Sequence, residues 1–265
     1  MFDTFFYEPI YNLMIFLSNY LVDFGAVIIL TTIIVKIILY PLYSSQIKNT
    51  IATKIAQPEL KEIQKKLKDK SLDQFKKQEL MLSMMKVNKK HGVKIFTPIL
   101  SIIVQIMATL ALYWVIYFGE LPKVDTSILY SGVESTKDII MTFLGSLDLL
   151  ETSWIIAILA GITQYIHMDI SMPDVTWKDL KSDSGDMKED MMSAFQAYMK
   201  YGLPVMVFIL LGTTLMAGLG LYWVTQNIFM IFQERMVRGD KETLKEMTKK
   251  EKEEKKNEKD KKSKK

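Results

Sequence analysis

The chain has 265 residues, 49% of them hydrophobic and 24% charged, with a formal net charge of +4 and a mean hydropathy of +0.12. So much apolar and so much charged material in one chain must be segregated along it, which is the mark of an integral membrane protein with polar cytosolic loops. The absence of cysteine excludes a disulfide framework, a thiol nucleophile, a Cys-type zinc site and a lipid-anchoring cysteine.

Residues 1–22 begin MFDTFFYEPIYNLMIFLSNY. They carry no basic n-region and no small-residue cleavage motif, so the segment is expected to stay in the mature chain. Phe5, Phe6, Ile10, Leu13, Phe16 and Leu17 recur at helical spacing beside Glu8, Asn12 and Ser18. That pattern predicts an amphipathic helix lying in the membrane interface. A spanning helix needs roughly 20 apolar residues, and residues 23–47 supply the first such stretch.

Residues 48–94 form a basic cytoplasmic segment predicted as a helical hairpin, with helices at about 50–68 and 72–90, Pro58 in the first and DKS as the turn. Met81, Met84 and Met85 give one of its faces an adaptable apolar surface. A second span follows at 95–118, a loop at 119–152, a third span at 153–169 and a further loop at 170–199. The run YGLPVMVFILLGTTLMAGLGLYWVTQNIFMIF within 200–234 is too long for one span. It is read as the fourth and fifth helices, joined as a hairpin. Residues 235–265 are a lysine-rich tail with almost nothing to bury, expected to be disordered or a solvated helix.

Lys and Arg are concentrated in 48–94 and the tail, while 1–24 has none and 119–152 has only Lys123 and Lys137. Cytoplasmic retention of basic residues then places the N-terminus outside and the C-terminus inside, consistent with an odd number of spans, five.

Lys36 lies near the middle of the first span, roughly 15 Å from either end and beyond the reach of its own side chain. An ionised lysine there costs about 2.5–3.5 kcal/mol on insertion scales. No Asp or Glu is read inside another span to neutralise it, which favours water. Thr32 precedes Lys36 by one turn, and Tyr40 and Tyr43 extend the stripe. Ser101, Gln105, Thr109 and Tyr113 recur every four residues of the second span. Gln164 and His167 share a face of the third, and Trp223 and Asn227 a face of the fifth. Each is ordinary interhelical glue when taken alone; in combination with a midplane cation they predict a shared hydrophilic cavity. The pattern offers no nucleophile with a base, no phosphate-cradling glycine loop and no metal cluster, so neither an enzyme nor a cofactor is expected. A secondary transporter or channel using Lys36 as an intramembrane charge site is the alternative from another class. It lacks an inverted repeat or a ring of charges in its favour.

The lysine followed by IILYPL and the basic hairpin containing QPELKEIQKKLKDK resemble the first span and cytoplasmic hairpin of the YidC/Oxa/Alb membrane-protein insertases. ALYWVI, ILAGITQYIHMDIS and AGLGLYWVTQNIFMIFQERMV are similar to the later spans of that family. The resemblance covers residue 5 to about 238. It implies an all-α polytopic fold of five transmembrane helices around a hydrophilic groove, open to cytoplasm and lipid and sealed to the outside. It further implies a minimal bacterial form in the plasma membrane, one that inserts and helps fold nascent membrane proteins. The implied partners are those nascent chains, the lipid bilayer, a ribosome held by the tail and hairpin, and the Sec translocon; DNA is not among them. Lys36, Thr32, Gln105, Thr109, Gln164, His167, Trp223 and Asn227 are the expected groove residues. Bacterial relatives usually place arginine where this chain has Lys36. The exchange keeps the charge but loses the planar bidentate fork.

Overall fold

The computed structural model describes residues 2–67, 72–94, 96–117, 121–134, 139–172, 174–181 and 187–239. The DKS turn expected in the hairpin and most of the expected tail, 240–265, lie outside them. The described residues fall into two compact units, one drawn from Met1–Tyr40 and Val104–Glu234, the other from Pro41–Ile103 and Arg235–Lys265. Helix dominates both.

The first unit opens with a π turn, Asp3–Tyr7, continuing into α1, Glu8–Ser18. Pro9 sits in the first turn of α1, where its missing N–H would have had no helical partner. Helix α1 buries Ile10, Tyr11, Met14 and Ile15 and packs on α2, Phe24–Ile38. Asp23 caps α2 by accepting from the Ala26 N–H at 3.1 Å, as an N-cap carboxylate does for an orphan donor. The buried residues of α2 are Phe24, Val27, Ile28, Thr31, Thr32 and Lys36. They recur at three- and four-residue intervals and so form one stripe. Lys36 thus belongs to the inward face.

Helix α2 stops at Ile38, and α3 starts at Tyr40 and runs to Leu67. Pro41 explains the break: it lacks an N–H, its ring clashes with the carbonyl of the preceding turn, and it disfavours helical geometry in the residue before it.

The second unit contains α3 beyond its first residue and α4, Gln74–Lys90. Pro58 lies within α3 without ending it. Asp73 caps α4 by accepting from the Lys76 N–H at 2.7 Å. Glu59 on α3 clasps the far end of α4, 3.0 Å from His91 Nε2 and 3.4 Å from Lys90 Nζ. Asn49 Oδ1 accepts from the Lys94 N–H at 2.5 Å. Ile47 and Ile51 meet Val237 in a small apolar cluster.

Helix α5, Phe96–Tyr117, buries Ala108, Ala111, Leu112, Val115 and Ile116 yet exposes Ile99, Ile102, Ile103, Ile106, Leu110 and Trp114. An apolar exposed face of that size suits hydrocarbon, not water. After α5 the chain is stitched to α1. Asn12 Nδ2 donates to Ile128 O at 2.9 Å and its Oδ1 accepts from Tyr130 N at 2.6 Å. The Tyr11 hydroxyl accepts from Asp125 N at 2.8 Å, and Asn19 Nδ2 donates to Glu134 O at 2.5 Å. A short antiparallel hairpin follows, β1 Thr142–Phe143 and β2 Leu147–Asp148. Its turn holds Leu144 at φ 51, a left-handed conformation uncommon for a bulky residue. Asp23 Oδ2 accepts from the Leu144 N–H at 2.5 Å and anchors the turn on the start of α2.

Helix α6, Trp154–Ser171, packs along α8, Leu203–Thr213. A Cβ on Gly212 would run into the Trp154 ring, and one on Gly161 would stand 3.2 Å from Phe208 Cβ. Small residues at these crossings let the backbones approach, as membrane helix pairs require. Helix α8 is preceded by α7, Met187–Ala197, and a π turn, Tyr198–Gly202. The helical rod therefore begins well inside the segment read as the 170–199 loop. A short link leads into α9, Ala217–Gly239. The Ala217 N–H donates to Glu151 O at 2.7 Å and the Gly218 N–H to Leu149 O at 2.9 Å, satisfying donors that open a helix.

Among the described residues, Pro98–Tyr117, Trp154–Ser171 and Asp190–Thr213 are long and apolar enough to cross a membrane, and α2 with the start of α3 makes a fourth if the broken pair is one span. Helix α9 is not among them.

Candidate functional site

Helix α9 carries its polar residues inward: Thr225, Gln226, Asn227, Gln233 and Glu234 are all buried. Buried polar groups must be hydrogen-bonded, and those of α9 reach α5 on one side and α6 on the other. Thr109 Oγ1 on α5 lies 2.8 Å from both Gln105 O and the Tyr222 hydroxyl, which donates to Gln226 Oε1 at 2.5 Å. Towards α6, Trp223 Nε1 donates to Gln164 Oε1 at 2.8 Å and Asn227 Nδ2 to Thr163 Oγ1 at 3.3 Å. Further along α9, Glu234 Oε2 accepts from the Ser171 hydroxyl at 2.5 Å and lies 3.6 Å from His167 Nε2. This is a polar ladder running the length of the α9 contact.

Of the expected residues, Gln164 and Trp223 are directly bonded, Gln105 and Thr109 share one turn of α5, and Asn227 and His167 join the ladder through Thr163 and Glu234. Lys36 and Thr32 lie on α2, 3% and 1% exposed. Thr32 Oγ1 donates to Ile28 O at 2.7 Å. Helix α2 approaches α9 through Ile28, whose Cδ1 would stand 3.5 Å from a Cβ on Gly218. Thr31 Oγ1, on the same buried stripe as Lys36, and His167 Nδ1 are buried without a hydrogen-bond partner among the described residues. Atoms of this kind call for water or a bound group.

The expectation that no carboxylate lies inside another span needs correction. Asp169, near the end of α6, forms a 2.8 Å ion pair with Lys200, and Glu234 is 4% exposed near the end of α9. Asp169 stands at the polar end of a helix apolar enough to span and Glu234 at the polar end of α9, read from sequence as the fifth span, and their partners come from other helical segments. Tyr222, Gln226, Thr163, Ser171 and Glu234 escaped the sequence reading as site residues. Glu234 follows Asn227 by two helical turns on one face, and that spacing was the available signal.

A buried lysine on one helix and a polar ladder among others, in a chain with several helices apolar enough to span a bilayer, define a helical membrane protein with buried polar side chains. Residues 16–250 match the family model described as 60Kd inner membrane protein. The chain belongs to that family, the YidC/Oxa1 family. It is 32% identical over 214 residues to "Membrane protein insertase YidC" of Oceanobacillus iheyensis, covering 81% of this chain and 74% of that protein. Identity with "Membrane protein insertase YidC 1" of Halalkalibacterium halodurans is 27% over 238 residues, covering 89% of this chain and 79% of that protein. With "Membrane protein insertase YidC" of Helicobacter pylori it is 29% over 244 residues, 92% of this chain but only 38% of the length of that protein.

Proposed function

We propose that this chain is an insertase and chaperone for newly made integral membrane proteins, working through a positively charged hydrophilic groove between five transmembrane helices. The observation that carries the reading is Lys36, buried on the inward face of α2, in a chain whose relatives are named membrane protein insertases. The costly step in insertion is moving a polar tail through about 30 Å of hydrocarbon. A cation partway across, with Thr32, Gln105, Thr109, Gln164, His167, Trp223 and Asn227 offering exchangeable hydrogen bonds, shortens the dry path and attracts acidic residues in the tail. The apolar part of the substrate then partitions into lipid, which supplies the driving force.

In this reading the N-terminus is outside and the C-terminus cytoplasmic, and residues 50–90 are the platform that receives the nascent chain. The lysine-rich tail and hairpin hold the ribosome through phosphate electrostatics. The Sec translocon is a further partner, and no bond is made or broken.

The test is protease protection of a small membrane protein with an acidic N-tail in liposomes carrying the native chain, Lys36→Arg or Lys36→Met. Protection by the first two and its loss with Lys36→Met is the expected result. Equal protection by all three removes Lys36 from the mechanism. No protection above empty liposomes, with a competent substrate, removes the insertase reading and turns attention to solute flux.

A further inference from the structure

A cluster at the junction of α6 and α8 takes no part in the polar ladder. Lys200, within the π turn before α8, is 3% exposed. It pairs with Asp169 at 2.8 Å and donates to Met172 O at 3.1 Å and Val175 O at 2.9 Å. These bonds fold the segment after α6 back beside the rod. There it forms a 3-10 turn, Trp177–Lys181, and Trp177 stands edge-on to Tyr201 with ring centroids 5.1 Å apart. The turn and the rod enclose an open, apolar groove of about 480 Å³, walled by Trp177 and Leu180 on one side and by Tyr198, Tyr201, Val205 and Met206 on the other, continuing to Leu210.

The groove is graded. At one end stand Trp177 and Tyr198, and the face of the 3-10 turn next to the one that walls the groove carries Lys178 and Lys181, both exposed. Asp179 in the same turn aims its carboxylate at the turn's own start, accepting from Thr176 N at 2.6 Å and Thr176 Oγ1 at 2.9 Å. At the other end Val205, Met206 and Ile209 are 56, 40 and 50% exposed on a rod apolar enough to span the bilayer. Trp and Tyr favour the level where hydrocarbon meets headgroup, and lysines at that level attract anionic lipid. The volume falls in the range of small-molecule sites, roughly 300–1,000 Å³.

We propose that this groove holds one phospholipid with an anionic headgroup, its phosphate between Lys178 and Lys181 and an acyl chain along Val205, Met206 and Ile209. A lipid fits better than a protein segment because the exposed lysines of the turn, the aromatic rim and the aliphatic floor of the rod each suit one part of it, headgroup, glycerol and chain. The proposal does not depend on the insertion reading.

The full chain is reconstituted in bilayers containing phosphatidylglycerol, or phosphatidylcholine, with a photoactivatable acyl chain, and adducts are mapped by peptide mass spectrometry. Adducts of the phosphatidylglycerol probe concentrate on 177–180 and 198–210. Their yield falls about tenfold in Lys178→Glu/Lys181→Glu, which changes only exposed side chains, as expected for two reversed charges at a membrane surface. Met206→Trp, which fills the groove without touching Lys200, removes them. Adducts spread evenly over the exposed faces of α5, α6 and α8, equal yields for the two headgroups, or yields unchanged by both variants overturn the proposal. So does a photoreactive residue at Met206 that captures a protein segment in place of lipid.

Discussion

Trp223 and Gln164 show how much one hydrogen bond decides in an apolar bundle. Trp223→Phe removes the donor and leaves Gln164 Oε1, on a residue 5% exposed, with a desolvated lone pair; the expected loss is about 1–3 kcal/mol. Gln164→Leu/Trp223→Phe removes both polar groups and costs less than the sum of the single changes, a coupling that a double-mutant cycle of unfolding in detergent measures. Polar positions on α5, α6 and α9 were legible in the sequence, because period 3.6 sorts faces. Their pairing was not. Which polar residue meets which depends on how far two helices rotate and slide, and here α9 is brought close to α5 by Gly218, where a Cβ would stand 3.4 Å from Ile116 Cγ2, and to α6 by Gly220, where a Cβ would run into Ile156 Cγ2, residues with no polar signal of their own.

Glycines at the α6–α8 crossing set the behaviour of whole helices. Gly212→Ala pushes α8 off the Trp154 ring, and a lowered Tm in detergent is the expected outcome. Trp154→Leu in that background restores part of it, by giving the new methyl room. In the cytoplasmic hairpin the clasp is electrostatic. Burial by itself would raise the Glu59 carboxyl, but the His91 hydrogen bond and the Lys90 charge outweigh it and hold the carboxyl below its ordinary value. A carboxylate lowered on folding stabilises above its unfolded range and loses that contribution as pH falls through its folded value. Hydrogen-exchange protection around Lys90 and His91, taken relative to the intrinsic rate at each pH, therefore falls as pH drops below the ordinary carboxylate value, and Glu59→Gln flattens this dependence. The break at Leu39 had its cause in plain sight at Pro41, yet a hydropathy reading runs straight through a proline that sits among aliphatic residues. The π turn at Tyr198–Gly202 has no comparable marker, and its position follows from Lys200 reaching Asp169.

At the level of the whole molecule, membership of a helical membrane family was legible from segregated composition and from ordered motifs that span most of the chain. Orientation is testable with little interference, because the chain has no cysteine to remove. A membrane-impermeant maleimide is expected to label Ser146→Cys, at the exposed hairpin turn, in intact cells, and Gln78→Cys only after the membrane is opened. The reverse pattern contradicts an outside N-terminus.

The ties between Ala217 and Glu151, Gly218 and Leu149, and Asp23 and Leu144 have a mechanical consequence. The first two join backbone to backbone, and the third fastens a backbone amide to the residue that opens α2. The contacts of α9 farther along include side-chain hydrogen bonds, which water can replace one at a time. A bundle fastened in this way behaves like a clothes-peg. Its fixed end is where the loop meets α2 and α9, and under the insertase reading proposed above any opening for a guest belongs at the other end, around Asn227 and Glu234.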